Sequence, residues 1–121
     1  MKVLGITILT SLNSKSLKQI GYTKTLDKLV LKQTDLIKKA GLHGVVLSAK
    51  EARSVKRKYK NLFIVTPGIR LPGDKKDDQA RVVTPYEAFK KNKSSAIVMG
   101  RSLIRGNIKN NVKKLIDHLN Q

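Results

Sequence analysis

Two short stretches carry residue types suited to holding an anion. Thr66-Pro67-Gly68-Ile69-Arg70-Leu71-Pro72-Gly73 runs on through a polar segment to Asp78-Gln79, and Gly100-Arg101 follows further along. A phosphate needs convergent N–H donors and positive charge, and glycine lets the backbone approach closely. Gly100-Arg101 offers a backbone donor beside a fork-shaped guanidinium. Gln79 offers an amide, and Arg70 stands at the head of the first loop. The plainer alternative is that Gly100 makes a turn and that Arg70 and Arg101 are surface charges. Asp74-Lys75-Lys76-Asp77-Asp78 reads as a solvated charge run, since exposed ion pairs are common and weak.

Four apolar runs must position these loops. Residues 3–9, 44–47, 62–65 and 96–99 are short and rich in Val, Ile and Leu, as strands buried on both faces are. Thr10-Ser11 closes the first run, at a strand end where α/β proteins place ligand contacts. Helical signals separate the runs. A turn is expected over 16–20, then a helix over 26–40 with Leu26, Leu29, Val30, Ile37 and Ala40 on one face and Gln33 interrupting it. Gly41 is its stop. Ser48-Ala49-Lys50-Glu51 reads as a capping box before a basic helix over 50–59, and Thr84-Pro85-Tyr86-Glu87 as another before a helix to 90. Val112, Leu115, Ile116 and Leu119 give the last helix, 109–119, one apolar face. Strands alternating with helices imply right-handed crossovers and a parallel sheet. The expected fold is therefore α/β, four parallel strands alternating with helices in a single domain over residues 1–121. That is half of a TIM (βα)8 barrel. In such barrels a phosphate site commonly lies on the loops after the last two strands.

Composition narrows the function. Of 121 residues, 26 are Lys or Arg and 8 are Asp or Glu, for a net charge of +18. Such a balance raises nucleic acid as a partner. However, the lysines are spread over every expected helix, and aromatic residues make up 4%, too few for a stacking platform. The densest basic cluster is Arg53, Lys56, Arg57, Lys58 and Lys60. The absence of cysteine excludes disulfides and thiolate metal sites. His43 and His118 lie in different elements and suggest surface or core residues, not ligands. No P-loop, G-x-G-x-x-G or metal-ligand cluster is present, so no metal or cofactor is expected. No apolar run spans a bilayer, and a cytoplasmic setting is expected.

The combination Thr66-Pro67-Gly68-Ile69-Arg70, Asp78-Gln79 and Gly100-Arg101 resembles the C-terminal half of orotidine 5'-monophosphate decarboxylase. The similarity extends through Leu9-Thr10-Ser11 and Gly41-Leu42-His43-Gly44-Val45-Val46-Leu47-Ser48-Ala49-Lys50-Glu51-Ala52. The resemblance implies strands five to eight of that barrel. It implies that Gln79, Gly100 and Arg101 grip the 5'-phosphate of a pyrimidine nucleotide such as OMP or UMP. It places Arg70 in a mobile loop over the phosphate, and Thr10 and Ser11 at the pyrimidine and ribose end. The family's catalytic array of Lys and Asp includes an Asp-x-Lys-x-x-Asp motif, which has no counterpart here. Asp74 and Lys76 match its first spacing, but Gln79 stands where the second Asp belongs. No catalytic residue is therefore assigned. The expected partners are the nucleotide and either a second copy closing a barrel or a separately encoded N-terminal half. A non-catalytic nucleotide-binding module and a basic nucleic-acid-associated protein are the alternatives.

Overall fold

The computed structural model describes residues 1–75 and 80–121. Four parallel strands, β1 (Leu4–Ile6), β2 (Gly44–Val46), β3 (Phe63–Thr66) and β4 (Ala96–Ile97), lie side by side in chain order. Gly5 pairs with Val45 and Val45 with Ile64, while Val65 pairs with Ala96. Helices α1 (Ser14–Gln19), α2 (Leu26–Lys39) and α3 (Ala49–Lys58) follow the first two strands. A π-helical turn, Glu87–Lys91, stands between β3 and β4, and α4 (Arg101–Ile104) and α5 (Ile108–Leu119) follow β4. The expected alternation of parallel strands and helices is present. Among the described residues no helix is long and apolar enough to cross a membrane.

Side-chain alternation splits the sheet into two unlike faces. One face, with Val45, Leu47 and Ile64, packs against Leu17 of α1, Leu26, Leu29, Val30 and Ile37 of α2, and Ala52 and Val55 of α3. The other carries Ile6, Phe63 and Val98, which are 66%, 45% and 51% exposed. The strands are shorter than the apolar runs that encode them. Residues 3–9 were expected as strand, and pairing covers only Leu4–Ile6; 96–99 shrinks to Ala96–Ile97. Both are edges of the sheet, where each residue has a ladder partner on one side alone.

Local chemistry explains the helices. The Thr25 hydroxyl accepts the Lys28 N–H at the start of α2, and Gly41, at φ +72°, ends the helix. Gln33 is half-buried at the margin of its buried face, with its Oε1 buried. Thr34 is a second polar residue on that face, fully buried, with its hydroxyl donating to the Val30 carbonyl at 2.8 Å. Ala40 is exposed. The Thr84–Glu87 capping box forms, the carboxylate accepting from the Thr84 N–H at 3.0 Å. That bond is the chief cause holding the Glu87 carboxyl below its ordinary pKa. The short helix α4 is an addition to the expected elements. The apolar stripe of α5 is only partly covered by the described residues: Leu115 and Leu119 are half-buried, and Val112 and Ile116 are exposed.

Close packing predicts a coupling. A Cβ on Gly5 would collide with Ile37 of α2, nearer than any real Cβ contact. Gly5→Ala is expected to cost about 1–3 kcal/mol through overpacking, and Ile37→Ala about 2–5 kcal/mol through its cavity. The double variant should lose clearly less than the sum, read by urea unfolding as a double-mutant cycle.

Candidate functional site

Of the candidate residues that the structure describes, Thr10, Ser11, Arg70 and Gly100 lie on loops that leave the C-terminal ends of the strands, and Arg101 opens α4. The loop after β3 is stitched at its base. Gly68, at φ +76°, lets the chain turn, Ile69 forms a parallel bridge with Val83, and the Arg70 N–H donates to the Val83 carbonyl at 3.1 Å. Ile69 is fully buried in a second small core with Ala49 and Ala88, backed by Val83, Ile97 and Met99. Arg70 thus belongs to an anchored base. The residue is 7% exposed, and its Nη1 donates to the Ile69 carbonyl at 3.0 Å. Among the described residues its Nε and Nη2 have no hydrogen-bond partner.

Arg70 and Arg101 line one pocket of about 400 Å³, with Gly73, Asp74, Lys75, Ser102, Arg105 and Asn111. The two loops read as a pair in the sequence do converge. Gly100 caps α4, and its carbonyl accepts from Leu103 and Ile104. The Ser102 hydroxyl, on a residue 8% exposed, is buried without a partner in the same pocket. Gln79 and Asp78 lie outside the described residues. Thr10 and Ser11 line a different pocket, of about 300 Å³, with Ile6, Ile8, Leu9, Val46, Leu47 and Pro67. Pro67 and Arg70, on one loop, belong to the two pockets in turn. Lys75, Ser102 and Arg105 carried no sequence signal, because their side chains reach the pocket only through the fold. Among the described residues no group of three His, Cys, Asp or Glu could hold a metal ion.

A buried ion pair ties the loops together. Arg81 Nη1 meets a Glu51 carboxylate oxygen at 2.7 Å, both residues almost fully buried. They meet chiefly as charges, since neither atom has a well-aligned hydrogen bond. Arg81 Nη2 donates to the carbonyls of Ile8 at 3.2 Å and Leu9 at 3.1 Å. This overturns half of one expected capping box. The Ser48 hydroxyl does cap α3, accepting from Lys50 N–H, but the Glu51 side chain turns inward to Arg81. Burial pushes the Glu51 carboxyl above its ordinary pKa, and Arg81 pulls the other way.

Four parallel strands with strand-end loops gathered at one edge define a (βα)4 protein. A model of the orotidine 5'-phosphate decarboxylase / HUMPS family matches residues 1–115, and the chain belongs to that family. It is 43% identical over 102 residues to the orotidine 5'-phosphate decarboxylase of Coxiella burnetii (strain RSA 331 / Henzerling II), covering 84% of this chain and 43% of that protein. The corresponding protein of Legionella pneumophila (strain Corby) is 41% identical over 102 residues, covering 84% of this chain and 44% of its own length. The crystal structure of orotidine 5'-phosphate decarboxylase from Lactobacillus acidophilus matches with a TM-score of 0.74 at 28% identity. That match covers 99% of this chain and 50% of the other. An uncharacterized conserved protein from Geobacillus kaustophilus matches at 0.72 and 27%, over 98% of this chain and 48% of its own. The chain spans about half the length of the relatives it matches.

The clasp predicts a pH-dependent cost. Arg81→Met leaves Glu51 buried without its counter-charge, and removing one partner of a buried pair costs about 3–5 kcal/mol. Above the ordinary carboxyl pKa, Glu51 must stay ionised at a penalty or bind a proton, which the folded state does more readily than the unfolded state. The loss relative to the parent is therefore largest at neutral pH and shrinks as pH falls toward the ordinary carboxyl range. Paired urea titrations of parent and variant at pH 5 and pH 7.5 measure it.

Proposed function

We propose that these residues form the phosphate-binding half of an orotidine 5'-phosphate decarboxylase-like barrel, a single (βα)4 domain in a cytoplasmic protein. One observation carries this reading. Arg70 is buried in the pocket it shares with Arg101, with two of its nitrogens, Nε and Nη2, unpartnered among the described residues. A buried donor without an acceptor is costly, and a phosphate supplies acceptors and opposite charge together. The ligand is the phosphate of a pyrimidine nucleotide monophosphate, OMP or UMP, held by Arg70, Arg101, the Gly100 backbone and Gln79. The apolar pocket rimmed by Thr10 and Ser11 suits the flat pyrimidine and its ribose. The family reaction takes OMP to UMP and CO2. The Lys and Asp array for that step is not among these residues, so it must come from elsewhere, on the same polypeptide or another. A non-catalytic nucleotide-binding module would use the same residues and lack only that complement.

Isothermal calorimetry with UMP tests the site. Arg101→Ala is expected to weaken binding by about 1.5–3 kcal/mol, the worth of a charge-assisted contact. Equal affinities for parent and variant would remove Arg101 from the site. The same preparation is expected to release no CO2 from orotidine monophosphate above background.

Assembly belongs to the same reading. The edges at β1 and β4 are unpaired, and the open face with Ile6, Phe63 and Val98 resembles the inside of a barrel without its far wall. Two copies that pair β1 of one with β4 of the other satisfy both edges in a two-fold arrangement. Charge opposes them, because two chains of +18 repel and salt screens the repulsion. Sedimentation across a salt series is expected to show association that strengthens with salt. A monomer at every salt and protein concentration would mean that the edges are covered in another way.

A further inference from the structure

Two side chains in the Arg70 pocket are buried with hydrogen-bonding capacity unused. Among the described residues, Arg70 Nε and Nη2 and the Ser102 hydroxyl have no partner, and both residues line the same cavity of about 400 Å³. Arg70 is already part of the phosphate reading. Ser102 is not. It carries no charge, so it adds nothing to the long-range field of this basic chain, and what it offers is a directed contact.

A serine or threonine hydroxyl inside a helix commonly bonds a carbonyl of the preceding turn. Thr34 does so in α2, donating to Val30 four positions back. Ser102 has no such outlet. It is the second residue of α4, Gly100 is the cap, and no helical turn precedes it. The residue is nonetheless 8% exposed, so solvent scarcely reaches the hydroxyl, and burying one without a partner is costly. With no bond to hold it, the hydroxyl can turn about its single side-chain torsion toward the pocket that the residue lines. The segment that carries it is fixed. The Asn111 side-chain amide donates to the Leu103 carbonyl at 3.0 Å and to the Arg105 carbonyl at 2.7 Å, tying the end of α4 to α5.

We propose that the Ser102 hydroxyl is a direct ligand of the phosphoryl group, a neutral donor working beside the arginines. The inference rests on reading the pocket as a phosphate site and goes beyond it in naming a residue whose part is independent of charge.

Ser102→Ala tests it in three readouts. Urea unfolding without ligand is expected to find the variant at least as stable as the parent, because the deleted hydroxyl was buried and unpartnered. A destabilised variant would mean that the hydroxyl already has an acceptor in the folded chain, and would overturn the inference. Calorimetry with UMP, and with inorganic phosphate competing for the UMP site, is expected to show the same loss for both ligands, about tenfold, as a hydrogen bond to a charged group would give. Unchanged affinities, or a loss with UMP and none with phosphate, would overturn the inference and leave Arg70 and Arg101 standing as phosphate ligands. The third readout is salt, which screens contacts between charges and leaves a short neutral one alone. The fall of UMP affinity with rising salt is expected to be as steep in Ser102→Ala as in the parent and shallower in Arg101→Ala. An equally shallow fall in both variants would overturn the inference, because the substitution would then act through the arginines. If neither phosphate nor UMP binds the parent, the phosphate reading falls and the inference with it.

Discussion

One guanidinium holds the working edge of this sheet together. Arg81 reaches the carbonyls of Ile8 and Leu9 after β1 and the carboxylate of Glu51 in the first turn of α3. These partners come from segments up to 73 positions away in sequence. Parallel strands cannot be joined by tight turns, so their C-terminal ends emerge as separate loops that need a cross-tie. Between the sheet and the loop after β1 the last backbone bond is from Thr7 to Val46, and Arg81 ties the two residues beyond it, Ile8 and Leu9, to the loop that follows β3. Burying two charges is expensive unless they meet each other and find further acceptors. Arg81 satisfies that condition with two carbonyls as well as the carboxylate. Ile8 and Leu9, which line the pocket of Thr10, are thus held by a residue that does not line it.

The sheet divides its labour between its faces. The helix-covered face is packed as a core should be, with Val45, Ile64 and Val55 fully buried. The opposite face is apolar and open, and α5 repeats the theme with Ile108, Val112 and Ile116 exposed. Single exposed apolar residues are ordinary, but contiguous ones mark surfaces that meet something. In the matching solved structures the aligned residues make up about half of the chain. The open face and the stripe of α5 are apolar surfaces that the described residues leave uncovered. The positive surface charge keeps such a chain from meeting copies of itself indiscriminately.

Periodicity made the frame legible. The buried face of α2 showed in Leu26, Leu29, Val30 and Ile37, and the parallel sheet showed in the β-branched runs between helices. The loop pairing of Arg70 with Arg101 was legible too, because strand order in a repeating βα chain brings successive C-terminal ends together. Side-chain choice was less so. Glu51 carried a capping signature at the right spacing, yet burial beside Arg81 won over the local backbone. Thr34 was invisible as a core residue because its hydroxyl is satisfied by its own helix, a bond no apolar pattern records. The strand lengths were overstated at β1 and β4, since an apolar run has no mark for where its neighbour ends. Ser102 and Arg105 needed the turn of α4, a helix too short to leave a periodic trace.

The bridge between Ile69 and Val83 has a consequence for how such a chain can change. It closes the excursion between Arg70 and Val83 at its root, with backbone bonds on both sides and Ile69 sunk in its own small core. Beyond the bridge, Leu71 and Arg81 are the buried residues that fasten the two arms of the excursion to the frame. The entropy of closing a loop grows only with the logarithm of its length, so doubling it costs about 0.6 kcal/mol. The excursion can therefore lengthen, shorten or change its charges at little expense to folding, provided Arg81 keeps its hold. Ligand preference becomes a property that can drift independently of the architecture, with the bridge as the seam between the two.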